Sequence, residues 1–214
     1  MIEFRGRLIL LDIEGTVSPL AFVHDVLFPF ARREVGDFLT RHQTSPEVLR
    51  ALEQIARDSG PGSNSEGDRT NLESESERAA WVTRIHALMD ADAKQTGLKW
   101  LQGLIWDEGY QSGELKSVLF SDAVDSIRAW HRAGLRLRIY SSGSIAAQRL
   151  FFAYSDSGDW TGCLEGYHDT TTGPKRAVAS YQAIVAGAGL PADEILFLSE
   201  NVAGAIPHTP DGGP

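Results

Sequence analysis

Cysteine is almost missing from this chain. Cys163 stands alone among 214 residues, so no intramolecular disulfide can form and cysteine-cluster metal sites are excluded. Nothing points to an oxidising compartment. Long apolar runs are missing too, since none approaches the roughly 18–20 residues a membrane span needs. The N-terminal MIEFRGRLILLD is too short in its apolar part, and too soon acidic, for a signal peptide. Basic residues are outnumbered, 20 Lys and Arg against 29 Asp and Glu, for a net charge of −9. Such a surface disfavours nucleic acid, whose non-specific binding relies on Lys and Arg neutralising phosphates, and it disfavours anionic membranes. A phosphorylated substrate would need a local arrangement that overcomes this global field. Histidines are few and scattered (His24, His42, His86, His131, His168 and His208), with no metal-ligand spacing. A cytoplasmic protein without nucleic-acid or membrane partners is expected.

What is present is enough for a real core: 42% hydrophobic and 23% charged residues. The length suits one domain, or one carrying an inserted second. Leu8-Ile9-Leu10-Leu11 is continuously apolar and stops at Asp12, as a strand buried on both faces of a parallel sheet would. Leu135–Tyr140 runs into Ser141-Ser142-Gly143 but alternates, so one of its faces is less deeply buried. Ile195–Leu198 runs into Ser199-Glu200. Helical spacing predicts amphipathic helices over Asp122–Arg132, Ser144–Tyr154 and Lys175–Ala188. Strands alternating with helices predict an α/β fold with a parallel, Rossmann-like sheet.

About 130 residues separate Asp12 from Ser141, against roughly 30 for a simple strand–helix–strand unit. The surplus predicts an inserted helical domain, with helices at Val23–Thr40, Pro46–Arg57, Glu77–Ala91 and Leu98–Ile105. Residues 58–68, rich in Gly and Ser, read as a flexible surface loop. The predicted organisation is a core of residues 1–19 and 117–200, a cap of 20–116, and a Pro/Gly-rich tail, 201–214, expected to be disordered.

Sites in open α/β sheets lie beyond the carboxyl ends of the strands. Asp12, Ser141 and Glu200 each follow a strand closely, so one crevice can gather all three. Asp12-Ile13-Glu14-Gly15-Thr16 places two carboxylates two residues apart, an arrangement that repels unless a cation intervenes. Mg²⁺ suits hard oxygen ligands and phosphate chemistry. The same residues fit a strand-terminal acidic turn with Thr16 capping a helix. Lys175, after Gly173-Pro174 at a helix start, opposes the helix dipole unless a bound anion faces it, or it is a solvated lysine. Ser141-Ser142-Gly143 reads as an anion cradle or a plain N-cap. Tryptophans, Trp106 included, and His24 read mainly as packing residues.

Taken together, Asp-x-Glu-Gly-Thr, Tyr-Ser-Ser-Gly-Ser, Gly-Pro-Lys and Leu-Phe-Leu-Ser-(acid) resemble the four motifs of the haloacid dehalogenase superfamily of phosphatases. More narrowly, the chain resembles the enolase-phosphatases of methionine salvage. That resemblance adds Ala21-Phe22-Val23, Leu27-Phe28-Pro29, Leu101-Gln102-Gly103-Leu104-Ile105-Trp106, Gly109-Tyr110, Gly113-Glu114-Leu115-Lys116 and Asp169–Lys175. It covers residues 7 to about 200.

The resemblance implies a Mg²⁺-dependent bifunctional enzyme, here expected to be a monomer, acting on a small phosphorylated diketo substrate, 2,3-diketo-5-methylthiopentyl-1-phosphate. Enolisation and phosphate removal would give the acireductone. Asp12 would bind Mg²⁺ and attack phosphorus. Glu14 would give its backbone carbonyl to the metal, and its side chain would protonate the leaving oxygen and later activate water. Ser141 and Ser142 would bind phosphate, Lys175 would offset negative charge, and Glu200 would complete the metal site. Two features depart from the family. Glu200 stands where aspartate is usual, with Gly204-Ala205 where another acid is usual. The tail after Glu200 has no family likeness, which suggests a core truncated at that end. A simple phosphomonoesterase, and a phosphate-binding relative without turnover, are the alternative expectations.

Overall fold

The computed structural model describes residues 4–59 and 72–200. Most of the predicted 58–68 loop and all of the 201–214 tail lie outside them. The chain divides into two compact units, one built from the segments up to Phe22 and from Lys116 onward, the other from Val23–Leu115.

The first unit is α/β. Its sheet is fully parallel, in the order β3-β2-β1-β4, with β1 at Leu8–Leu11, β2 at Arg136–Tyr140, β3 at Gly166–His168 and β4 at Ile195–Leu198. β1 is buried along its whole length, as its unbroken apolarity demands. In β2, Leu137 and Ile139 are buried, while Arg136 and Arg138 are half-buried and pair with Glu165 at 2.8 and 2.7 Å. These two arginines hold Glu165 below the usual carboxylate range, against an opposing burial cost. The register puts Leu11 level with Ile139 on one side and Leu198 on the other. Three strands therefore end at the same height, and their next residues share one rim.

Three helices follow: α6 (Ser121–Arg132), α7 (Ile145–Ala153) and α8 (Val178–Ala188). Two expectations need correction. The helix read as starting at Lys175 starts at Val178, because the carbonyls of Gly173, Pro174 and Lys175 each accept a side-chain hydroxyl instead of opening a helical ladder. Ile195–Leu198 is as continuously apolar as β1, which predicts burial on both faces, yet all four of its residues are half-buried, since β1 is its one neighbour in the described sheet. Ile195 and Phe197 pack against a buried cluster that includes Leu8, Leu10, Tyr140, Tyr181 and Ile184. β3 carries one buried apolar residue, Tyr167, and its three residues give no periodic signal.

The first unit also holds a short α1 (Leu20–Phe22). The second unit is helical, with a π-helical stretch, Val23–Leu27, leading into α2 (Phe28–Arg41). α3 (Pro46–Asp58), α4 (Glu75–Asp90) and α5 (Thr96–Gln111) follow. Ser74 caps α4: its hydroxyl accepts the Glu77 amide at 3.2 Å and donates to the Glu77 carboxylate at 2.7 Å. α3 and α5 approach so closely that a side chain at Gly97 would strike the α3 backbone. The Asp58 carboxylate accepts the Gly97 amide at 3.0 Å and fixes that contact. Trp106 donates its indole N–H to the Leu27 carbonyl at 2.8 Å, so within this unit it serves as a packing anchor. Among the described residues, no helix is long and apolar enough to cross a membrane.

Candidate active site

Beyond β1 the chain turns sharply. The Ile13 carbonyl accepts the amides of Thr16, Val17 and Ser18 at 3.1, 2.9 and 3.1 Å, with Gly15 at φ +73, a left-handed conformation that costs glycine little. The turn leaves Asp12 at the rim, only 4% exposed. A carboxylate so buried must be paired and hydrogen-bonded. It is: Oδ1 accepts the Lys175 ammonium and the Ile13 amide (2.8 Å), and Oδ2 accepts the Ser199 hydroxyl at 2.8 Å.

Glu14 leaves the same turn on another course. Its carboxylate accepts the hydroxyl of buried Ser141 at 3.1 Å, and that hydroxyl also accepts the Gly143 amide at 3.2 Å. Ser142 is exposed on the adjoining turn. Glu200 sits beside the β1 turn: its amide donates to Thr16 Oγ1 at 3.0 Å, and a side chain at Gly15 would overlap its carboxylate. Thr16 thus ties β4 to the turn and caps no helix. The structure brings together Asp12 with Lys175, Glu14 with Ser141, and Glu200 with the Gly15–Thr16 turn.

Other residues around these were not singled out from the sequence. Ser199 is one. Gln148 is another: 1% exposed, it donates from Nε2 to the Gly143 carbonyl at 2.7 Å and the His168 carbonyl at 2.9 Å. Asp169 accepts the Thr171 hydroxyl and amide at 2.6 and 2.9 Å and the Ile145 amide, at the start of α7, at 3.2 Å. These side chains join the Ser141–Gly143 turn to the loop that carries Lys175. Position after a strand signals Asp12 and Ser141, but nothing local signals a glutamine two turns away.

No protein-family model matches the chain. Individual relatives do. Enolase-phosphatase E1 of Parvibaculum lavamentivorans is 49% identical over 195 residues, which cover 91% of this chain and 78% of the relative. That of Pseudomonas syringae pv. tomato is 44% identical over 200 residues, covering 92% and 81%. The chain belongs to the enolase-phosphatase E1 family.

Among solved structures, the UTR4 protein of Saccharomyces cerevisiae superposes with a TM-score of 0.74 at 32% identity, covering 94% of this chain and 84% of that one. CbbY from Rhodobacter sphaeroides, in complex with phosphate, shares the fold alone, at TM-score 0.52 and 14% identity over 93% and 80%. The core of this chain has the α/β fold with a parallel sheet that its motifs implied.

Among the described residues, no group of three or more His, Cys, Asp or Glu side chains gathers as a metal cage. What lies near the rim is sparser and oxygen-only: the Asp12 carboxylate and the Glu200 carboxylate beside the side-chain-free Gly15. That donor chemistry fits Mg²⁺, which is held by one or two carboxylates and keeps several waters.

Proposed function

We infer that this chain is the enolase-phosphatase of methionine salvage, turning 2,3-diketo-5-methylthiopentyl-1-phosphate into the acireductone 1,2-dihydroxy-3-keto-5-methylthiopentene and phosphate. The observation that carries the chemistry is Asp12, a buried carboxylate held on one oxygen by Lys175 and on the other by Ser199, with Glu14 two positions beyond it in the same turn.

In this reading an Asp12 oxygen attacks phosphorus and the ester P–O bond breaks, leaving an aspartyl-phosphate. Glu14 gives a proton to the departing oxygen, then takes one from the water that opens the aspartyl-phosphate, so phosphate leaves and both carboxyl groups return to their starting state. The Glu14–Ser141 hydrogen bond supports this role, because it aims the carboxylate at the phosphate-binding turn. Ser141 and Ser142 hold phosphate oxygens. Lys175 keeps the Asp12 carboxylate aligned and offsets the charge that gathers when a phosphate approaches it. Mg²⁺ held by Asp12, the Glu14 carbonyl and Glu200 would supply further charge neutralisation between nucleophile and phosphate. One chain supplies every residue named, which supports a monomer.

The test is an assay of the diketo phosphate with Mg²⁺, following phosphate release and enol absorbance separately. Both signals are expected. Phosphate release without the enol signal would reduce the protein to a simple phosphomonoesterase, and neither signal would refute the reading.

A further inference from the structure

Lys175 sits where no regular element fixes it, three residues before α8 begins. Four rotatable side-chain bonds separate its ammonium from its Cα, so the charge is placed only as well as the main chain beneath it. That main chain is held in an unusual way. The Tyr140 hydroxyl donates to the Gly173 carbonyl at 2.7 Å, the Ser180 hydroxyl to the Pro174 carbonyl at 2.9 Å, and the Tyr181 hydroxyl to the Lys175 carbonyl at 2.7 Å. Three consecutive carbonyls therefore accept three side-chain hydroxyls, one from the end of β2 and two from the first turn of α8.

The donors are packed inside the core. Tyr140, Ser180 and Tyr181 are all buried, and the two phenol rings meet edge to face at 5.8 Å. Burial pushes the Tyr181 hydroxyl up to about 12, helped by Tyr140 and Asp12, so it remains a donor throughout the working pH range. Gly173 is part of the same device: its φ is +132, and any side chain there would overlap the Ser180 hydroxyl. The Tyr140 ring also lies 6.0 Å from the Lys175 ammonium, within cation–π reach.

We propose that Tyr140, Ser180 and Tyr181 are positioning residues for the phosphatase step, a hydroxyl clamp that presents the Lys175 ammonium to Asp12 in one place. This rests on the roles inferred above for Asp12 and Lys175. A buried phenol needs an acceptor in any case, so a purely stabilising role is the competing account. The two accounts differ in what a lost hydroxyl does to turnover.

The experiment compares Tyr181→Phe, Tyr140→Phe and the double variant with the parent, well below their melting temperatures. Tyr167→Phe serves as a control, because its buried hydroxyl on β3 has no hydrogen-bond partner among the described residues. A misplacement of about 1 Å can cost roughly a hundredfold in rate. Each single variant is therefore expected to lower kcat for phosphate release about tenfold, and the double about a hundredfold, with KM within about twofold. Tyr167→Phe is expected to match the parent. A second readout needs no substrate. The chain has four lysines, Lys94, Lys99, Lys116 and Lys175, so ¹³C-lysine labelling gives four side-chain signals, and that of Lys175 is expected to move or broaden in the Tyr→Phe variants alone. Lower melting temperatures with kcat unchanged would overturn the proposal in favour of simple stabilisation. An unmoved Lys175 signal would overturn it whatever the activity. If the parent itself releases no phosphate while the Lys175 signal still moves, the clamp stands and the inferred function fails.

Discussion

Removing either member of the Asp12–Lys175 pair should have unequal consequences, because the two ends are unequally buried. Asp12 is 4% exposed, whereas the Lys175 side chain is 26% exposed. Lys175→Met strands a carboxylate that water cannot reach, leaving it only the Ile13 amide and the Ser199 hydroxyl. Breaking a fully buried pair this way costs about 3–5 kcal/mol. Water already screens the lysine end, so about 2 kcal/mol is the better figure here. At roughly 2–4 °C per kcal/mol for a chain of this size, the melting temperature should fall by about 4–8 °C. Asp12→Asn keeps the side-chain volume and strands only an ammonium that can turn to solvent, at a cost under about 1 kcal/mol. The double variant should therefore melt above Lys175→Met alone, since the uncompensated carboxylate has gone, and the mutant cycle should give a clear coupling energy. Calorimetry of the four proteins, with phosphate release measured on each, is the assay. Additive losses, or Asp12→Asn being the worse single change, would show that Lys175 does not compensate the Asp12 charge. Asp12→Asn retaining phosphate release within tenfold of the parent would exclude covalent catalysis by this residue.

Excess EDTA should stop phosphate release, and Mg²⁺ should restore it where Ca²⁺ does not, because Ca²⁺ takes more ligands at longer distances; full activity in Ca²⁺ would count against the inferred site. Glu200→Asp should tighten Mg²⁺ and speed phosphate release, since glutamate is one methylene too long for a geometry that tolerates little deviation from about 2.0–2.1 Å. Unchanged affinity and rate in a well-folded sample would remove Glu200 from the ligand set. Burial, aided by Arg138 and opposed by Asp169, holds His168 below its ordinary value near 6.5. The unfolded chain then takes up a proton that the folded one refuses, so its contribution is complete above about pH 6.5 and shrinks as the pH falls below it. Urea titrations from pH 7 to 5 should show that loss, and His168→Gln should flatten it; an equal slope in both proteins would argue against it.

The parts of the fold that could be read in advance are those whose signal is local. β1 announces itself as four apolar residues ending at an acid, and the helices of both units by their periodicity, although α5 runs six residues beyond the expected end at Ile105 and α2 starts five residues after Val23. β3 escaped because a three-residue strand with one buried side chain has no period. Pro174 fits a first helical turn, which puts Lys175 in a helix by sequence; the hydroxyls that capture the Gly173, Pro174 and Lys175 carbonyls come from residues 33, 6 and 6 positions away, and no local pattern shows that those side chains turn back onto the chain. Distance along the chain hid Ser199, whose partner Asp12 is set by the pairing of β4 with β1, and the contact of Gln148 with His168. Asp12, Glu14, Ser141 and Lys175 could be proposed as site residues because three strand ends and one Gly-Pro-Lys turn mark them. The hydrogen bonds that join them could not.

Parallel pairing has a temporal side. The β1 turn meets its partners across great lengths of chain: Glu14 and Ser141 lie 127 positions apart, and Asp12 and Ser199 lie 187 apart. A ribosome making roughly 5–20 residues per second extrudes β1 on the order of ten seconds before β2 exists, and β4 comes later still. Closing such long loops slows folding, and the helices of Val23–Leu115, bound by nearer contacts, can form while β1 waits. The strand that starts the site is the first made and among the last secured. During that interval its four apolar residues lie bare on both edges, an unpaired strand open to the wrong partner.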